Sequence, residues 1–308
     1  MQNAKPDGLA IFLLILVCAS WGLQNVTIKV AAAEVPLVLQ SAIRSFGATL
    51  LVLVWTQVRG QSVLKADGTL LWGLAAGLLF AGQFLMVYWG LTYTNASRAV
   101  IFLYVSPFIV AIGSHFVLKG DALNRQKTFG LLCAFAGILA AFSDTLVFPS
   151  QGMILGDMML VVGALFWGAT TVLIKASPLA KIPSSKTLLY QLGVSAPVLF
   201  LGSVLLGEPA MKSMSHVTIA ALIYQIFWVG CVSYLVWFWL VQQYSAPKLT
   251  SFHFLTPLFG VIAGVTLLDE PLTPMFAVAA GLVAIGIYFV NSTPKPPLST
   301  TDRGAENA

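Results

Sequence analysis

Along this chain, apolar runs of about twenty residues alternate with short polar breaks, and the runs are too long to be the strands of a membrane barrel. Ten can be drawn: Leu9 to Ala31, Leu37 to Val58, Leu70 to Thr92, Ala96 to Leu118, Thr128 to Leu146, Leu155 to Lys175, Thr187 to Leu206, Val217 to Val241, Lys248 to Leu268 and Thr273 to Asn291. Twenty helical residues rise about 30 Å, the thickness of a hydrocarbon core, whereas barrel strands would need only about ten residues of alternating polarity. Backbone polar groups in lipid must be satisfied within the segment, which a helix does. The pattern predicts an all-α membrane protein with ten transmembrane helices. Met1 to Gly8 is a short polar stub, and Pro294 to Ala308 has the composition of a disordered tail.

The runs repeat. Ser20 to Lys29 (SWGLQNVTIK) and Phe166 to Lys175 (FWGATTVLIK) share WG-x5-IK at an offset of 146 residues. Pro36 with Arg44 corresponds to Pro183 with Gln191 at 147, Ser106-Pro107 to Thr256-Pro257 at 150, and Asp121-x-Leu123 to Glu270-x-Leu272 at 149. This ordered series predicts two homologous five-helix units, residues 9–146 and 155–291, flanked by the stub at 1–8 and a cytoplasmic tail at 292–308. The first run ends in AAAE, which resembles a signal-peptide cleavage site. Its recurrence as the sixth run argues that it is instead part of the fold.

Composition agrees: the hydrophobic share is 58%, the charged share 9% and the mean hydropathy +0.89, against roughly 25% charged residues in soluble domains. The net charge of +5 therefore reports topology and not nucleic-acid binding. With a cytoplasmic N-terminus, the inner loops hold Lys5, Arg59, Lys65, Lys119, Arg125, Lys127, Lys175, Lys181, Lys186, Lys248, Lys295 and Arg303, and the outer ones only Lys29, Arg98 and Lys212. Both termini are expected in the cytoplasm. Five spans per unit then make the second unit enter the membrane inverted, the architecture of many secondary transporters. Cys18, Cys133 and Cys231 lie in apolar runs without pairing or ligand spacing and read as small buried hydrophobes.

WG-x5-IK in runs one and six, Pro-x7-Arg in run two, Leu91 to Ala96 (LTYTNA) leading to Pro107, and the acidic residue two before a Leu ahead of runs five and ten together resemble the drug/metabolite transporter superfamily. The likeness is to its EamA-type exporters and spans Leu9 to Asn291. It implies ten spans in two inverted five-helix repeats, and export of amino acids, related metabolites or drug-like compounds from the cell across the inner membrane. The superfamily also includes sugar-phosphate and nucleotide-sugar carriers, so fold alone leaves the substrate open. Asp121 stands where such exporters usually carry Glu.

A transporter needs polar groups at mid-membrane and helices that bend. Pro107 and Pro257, inside equivalent runs, each remove a helical hydrogen bond and are candidate hinges or static kinks. Arg44 is expensive in hydrocarbon and either holds a substrate carboxylate, pairs with Glu34 or caps carbonyls near its helix end. His253 either couples proton movement or donates to a neighbouring carbonyl. Gln24, Asn25, Gln83, Thr171 and Gln191 are uncharged polar candidates, and Trp21, Tyr88, Tyr104, Trp167 and Tyr234 form a candidate aromatic lining, unless they serve only packing or the interfacial belts. Trp55 and Trp72, near run ends, are expected in those belts. Every acidic residue is expected at a helix end or loop, and Lys29 and Lys175 as snorkelling anchors.

No HExxH, GxSxG, P-loop or embedded acidic pair occurs, so neither catalysis nor ATP hydrolysis is expected, and no cofactor or metal. The expected partners are a small-molecule substrate and the lipid bilayer, with the chain a monomer or homodimer. A membrane scaffold is the competing class, but it would need neither paired prolines nor interior polar groups.

Overall fold

A computed structural model of the chain describes residues 6–63, 66–143, 148–212, 214–269 and 272–292. Among the described residues ten long helical stretches follow one another, with a 3-10 turn at Pro178–Lys181 between the sixth and seventh: α1 Gly8–Ala31, α2 Leu37–Val58, α3 Leu70–Gly90, α4 Ala96–Val117, α5 Arg125–Ala141, α6 Gln151–Ala176, α7 Ser184–Leu205, α8 His216–Gln243, α9 Ala246–Leu268 and α10 Met275–Asn291. No β-strand occurs among the described residues. Among the described residues, eight helices are long and apolar enough to cross a membrane, and α10 is a shorter apolar helix. The expected stub up to Lys5, the tail from Thr293 and the acidic residue Glu270 lie outside the described residues.

Helices α5, α6 and α7 begin three or four residues before their apolar runs. Their first turns are polar, which hides them from hydropathy, but two carry capping side chains: Asn124 accepts from the Lys127 amide at 2.8 Å and Ser150 from that of Met153 at 3.3 Å. The bundle is inside-out relative to a soluble protein. Val58, Leu71 and Phe116 are exposed, while Arg44, Thr187, Gln191 and Ser195 are fully buried. Trp55 and Trp72 are exposed near helix ends.

Packing repeats as the motifs do. α5 pairs with α10 and α2 with α7; α3 packs on α6 as α8 does on α1, α4 on α6 as α9 on α1, and α3 on α7 as α8 on α2. Exchanging each helix for the one five places along maps the pattern onto itself. Glycines permit the closest seams: a methyl at Gly130 would lie 2.7 Å from the Gly286 carbonyl, and one at Gly286 would lie 2.5 Å from that of Gly130. Gly73 and Gly77 receive Tyr190 and Val194 of α7, so this small-residue face joins helices within one chain.

The α2–α3 loop is tied to the start of α7. Lys186 reaches Asp67 at 2.7 Å, Thr69 donates to the same carboxylate at 2.5 Å, and Tyr190 meets the Thr69 hydroxyl at 3.1 Å. The hydrogen bond from Lys186, then that from Thr69, lowers the Asp67 carboxyl to about 2. A depressed carboxylate contributes stability that is complete above its unfolded value of about 3.9 and is lost as pH falls through the folded one. Asp67→Asn is therefore expected to lower the melting temperature in detergent equally at pH 5.5 and 7.5, with the deficit shrinking from pH 4 toward 2. A deficit that changed between pH 5.5 and 7.5 would reject this linkage.

Candidate functional site

The repeated Trp-Gly pair does two things. Each glycine lets a proline-containing helix approach: a methyl on Gly22 would lie 2.6 Å from Phe259 Cβ and 2.7 Å from the Gly260 nitrogen, and one on Gly168 would lie 2.6 Å from Ile109. α1 thus crosses α9, and α6 crosses α4, at matching points. Each tryptophan turns into the bundle, where Trp21 and Trp167 meet edge to face with centroids 5.9 Å apart. Repeat-related side chains thus touch each other.

Around them lies a box of rings. Trp237 stacks on Trp167 at 6.0 Å, and His253 sits 5.2 Å from Trp21, 5.5 Å from Trp167 and 4.4 Å from Trp237. The Trp21 indole donates to Ser233 at 2.9 Å, which itself donates to the Val229 carbonyl at 2.7 Å. Neither Trp237 Nε1 nor His253 Nε2, both buried, has a hydrogen-bond partner. Ser233 closes a π-helical stretch of α8, Tyr224–Ser233, a local widening often found at functional sites. Its Tyr224 and Trp228 also donate to Ser20 of α1, at 3.0 and 2.8 Å.

The ring wall continues from Trp21 through Tyr234, Phe80 and Phe84 to Tyr88, with successive centroids 5.0–6.0 Å apart. Arg44 lies over it, its guanidinium carbon 4.3 Å from the Phe84 centroid. The side chain is fully buried, and a long contact from Nη2 to Ser41 at 3.4 Å leaves Nε and Nη1 without partners. Glu34 does not pair with it: that carboxylate accepts from the Ser215 amide at 2.7 Å.

The other candidates are placed unequally. Gln191, the repeat counterpart of Arg44, is fully buried with both amide atoms unpartnered, as is the Oε1 of Gln83. Thr187 and Ser195 join Gln191 on one polar face of α7. Gln24 is buried one turn beyond Trp21, whereas Asn25 is exposed beside Gly260. Thr171 donates to the Trp167 carbonyl at 3.1 Å. Tyr104 lies outside the box, against Phe254 at 6.0 Å. α4 breaks at Tyr104 and Val105 and resumes at Ser106, just before Pro107; α9 narrows to a 3-10 turn over Phe252–Phe254, just before Pro257. Phe80 and the glycine crossings escaped the sequence reading, although the Gly fixed beside each repeated Trp was the available signal.

The charged ends differ from expectation in two places. Asp157 is not at a helix end: α6 starts at Gln151, and the carboxylate is buried, chelated by Arg98 and accepting from Thr94 at 3.0 Å. Lys175 is buried, its ammonium donating to the Tyr244 carbonyl. Beside it Asp121, also buried, accepts from Ser245 at 2.5 Å. At the end of the bundle where α1 finishes, Glu208 accepts from the Val38 and Leu39 amides, both at 2.9 Å, and so caps α2.

The EamA-like transporter family model matches the chain twice, over residues 8–143 and 154–292. An uncharacterized transporter YoaV of Bacillus subtilis is 25% identical over 279 residues, covering 89% of this chain and 94% of that protein. A probable amino-acid metabolite efflux pump of Salmonella typhimurium is 27% identical over 298 residues, covering 92% and 94%, and one of Escherichia coli is 24% identical with the same coverage. A solved crystal structure shares the fold with a TM-score of 0.77 at 16% identity, covering 91% of this chain and 96% of its own. A bundle whose helix pairings repeat at an interval of five, matched twice by one model across nearly its whole length, belongs to the EamA-like transporter family.

Proposed function

We propose that the chain exports amino acids or related small amphipathic metabolites across the inner membrane by alternating access, as a ten-span bundle of two inverted five-helix units, residues 9–146 and 155–291, with both termini cytoplasmic. The observation that carries this reading is Arg44, a fully buried cation with two unpartnered nitrogens beside a wall of rings. A guanidinium in a lipid-surrounded bundle is costly without an anion, and a substrate carboxylate supplies one in bidentate geometry. The rings suit an apolar body, and Gln191 and Gln83 provide hydrogen bonds that orient it. The repeated helix pairings and the basic residues of alternate loops support the inverted halves. The breaks before Pro107 and Pro257 serve as hinges. The efflux pumps named among the relatives support the outward direction.

The test is efflux from liposomes containing the purified chain and loaded with candidate amino acids, with and without a pH gradient. Arg44→Gln is expected to slow export of carboxylates at least about tenfold more than export of their amides, since a lost charged contact is worth about 1.5–3 kcal/mol. A uniform loss, or none, rejects the carboxylate role. Export through His253-linked proton exchange is expected to speed up with the gradient, and equal rates in both conditions would remove that coupling.

A further inference from the structure

A molecule that gives its carboxylate to Arg44 brings its remaining charge to the same place, and each described acid of this chain stands at another contact or is exposed. Among the described residues, Asp7, Glu34 and Glu208 accept from backbone amides at helix starts. Asp67 and Asp157 hold Lys186 and Arg98, Asp121 accepts from Ser245 through one oxygen while its other oxygen is buried without a hydrogen-bond partner beside Lys175, and Asp269 is exposed at the end of α9. None is available to an ammonium group beside Arg44.

An ammonium has a second option in the face of an aromatic ring. Here Arg44 itself covers Phe84, and the three indoles stand around His253 at 4.4–5.5 Å. The amides of Gln83 and Gln191 offer dipoles, which orient a hydroxyl or oxo group but do not neutralise a cation. One negative charge on the ligand cancels Arg44, whereas a zwitterion leaves an uncompensated positive charge in a low-dielectric interior.

Resting on the transport reading above and narrowing it, we propose that the preferred substrate is an amphipathic monocarboxylate without an ammonium group, with an aromatic or branched apolar body. Transport of such an ion alone carries one negative charge outward, so an interior-negative potential drives it.

The matched probes are 3-phenylpropionate and phenylalanine, which differ only in the α-ammonium. Each is loaded at equal concentration, at pH 8, into liposomes with the full-length chain; leakage from protein-free liposomes is subtracted, and the potential is set by potassium and valinomycin. The expected result is efflux of 3-phenylpropionate at least about tenfold faster than phenylalanine, accelerated by an interior-negative potential and lost in Arg44→Gln. Calorimetric titration of the unaltered protein is expected to show the same order of affinities, a readout that needs no variant. Equal or faster phenylalanine efflux overturns the monocarboxylate assignment and leaves the transport reading standing. Movement of neither probe, with no binding of either, overturns both.

Discussion

Asp157→Ala is expected to lower the stability of the purified chain by about 3–5 kcal/mol, the usual result of removing one partner from a buried ion pair. Arg98 and Asp157 have side chains only 10% and 7% exposed, and the carboxylate takes both Nε and a terminal nitrogen of the guanidinium as well as the Thr94 hydroxyl. Deleting the acid strips a buried guanidinium of its carboxylate, whereas deleting both charges removes the desolvation cost along with the attraction. The double variant Arg98→Met, Asp157→Leu is therefore expected to recover most of the loss. Thermal unfolding followed by size-exclusion chromatography would measure both. A double variant no better than Asp157→Ala would show that the pair contributes net stability and that the desolvation argument is wrong here.

Gly22→Ala is expected to be far more damaging than the same change at its repeat partner, Gly168. Its Cβ would lie 2.6 Å from Phe259 Cβ, 2.7 Å from the Gly260 nitrogen and 2.8 Å from the Phe259 carbonyl carbon. Backbone cannot rotate away, so α1 and α9 must part, at about 1–3 kcal/mol for overpacking of this kind. At Gly168 the first atoms met belong to the Ile109 side chain, which has more room to adjust. Gly168→Ala is thus expected to be milder, although the two glycines are repeat partners. Because Trp21 precedes Gly22, the change in its intrinsic fluorescence is expected to accompany loss of export in Gly22→Ala. Equal damage at both positions would mean that the helix crossings, and not these particular atoms, set the tolerance.

The helices were legible because bilayer thickness dictates run length, and the repeat in helix pairings because WG-x5-IK and Ser/Thr-Pro recur in order. Asp157 was misplaced for a definite reason: the polar turn from Gln151 lowers the local hydropathy, so the helix seemed to begin at Leu155, beyond its Ser150 cap. Trp21 and Trp167 could be nominated from the repeat, but their contact with each other could not, since it depends on how the halves interlock. The π-helical stretch of α8 has no residue signature at all; Tyr224 to Ser233 reads as ordinary apolar helix. Arg44 was recognisable as an anomaly, yet its state was not. Glu34, ten residues earlier, is as plausible a partner in sequence as it is absent in space, because Ser215 holds it instead.

That last contact belongs to a crossed arrangement. Glu34, in the loop before α2, binds the Ser215 amide at the start of α8, and its carbonyl takes the Lys212 amide at 3.0 Å. Glu208, in the loop before α8, binds the first turn of α2. Each loop thus anchors the helix that follows the other, like two people each gripping the other's wrist. The α1–α2 and α7–α8 loops are therefore tied to each other's helices twice over, and neutralising either glutamate removes one of the two ties.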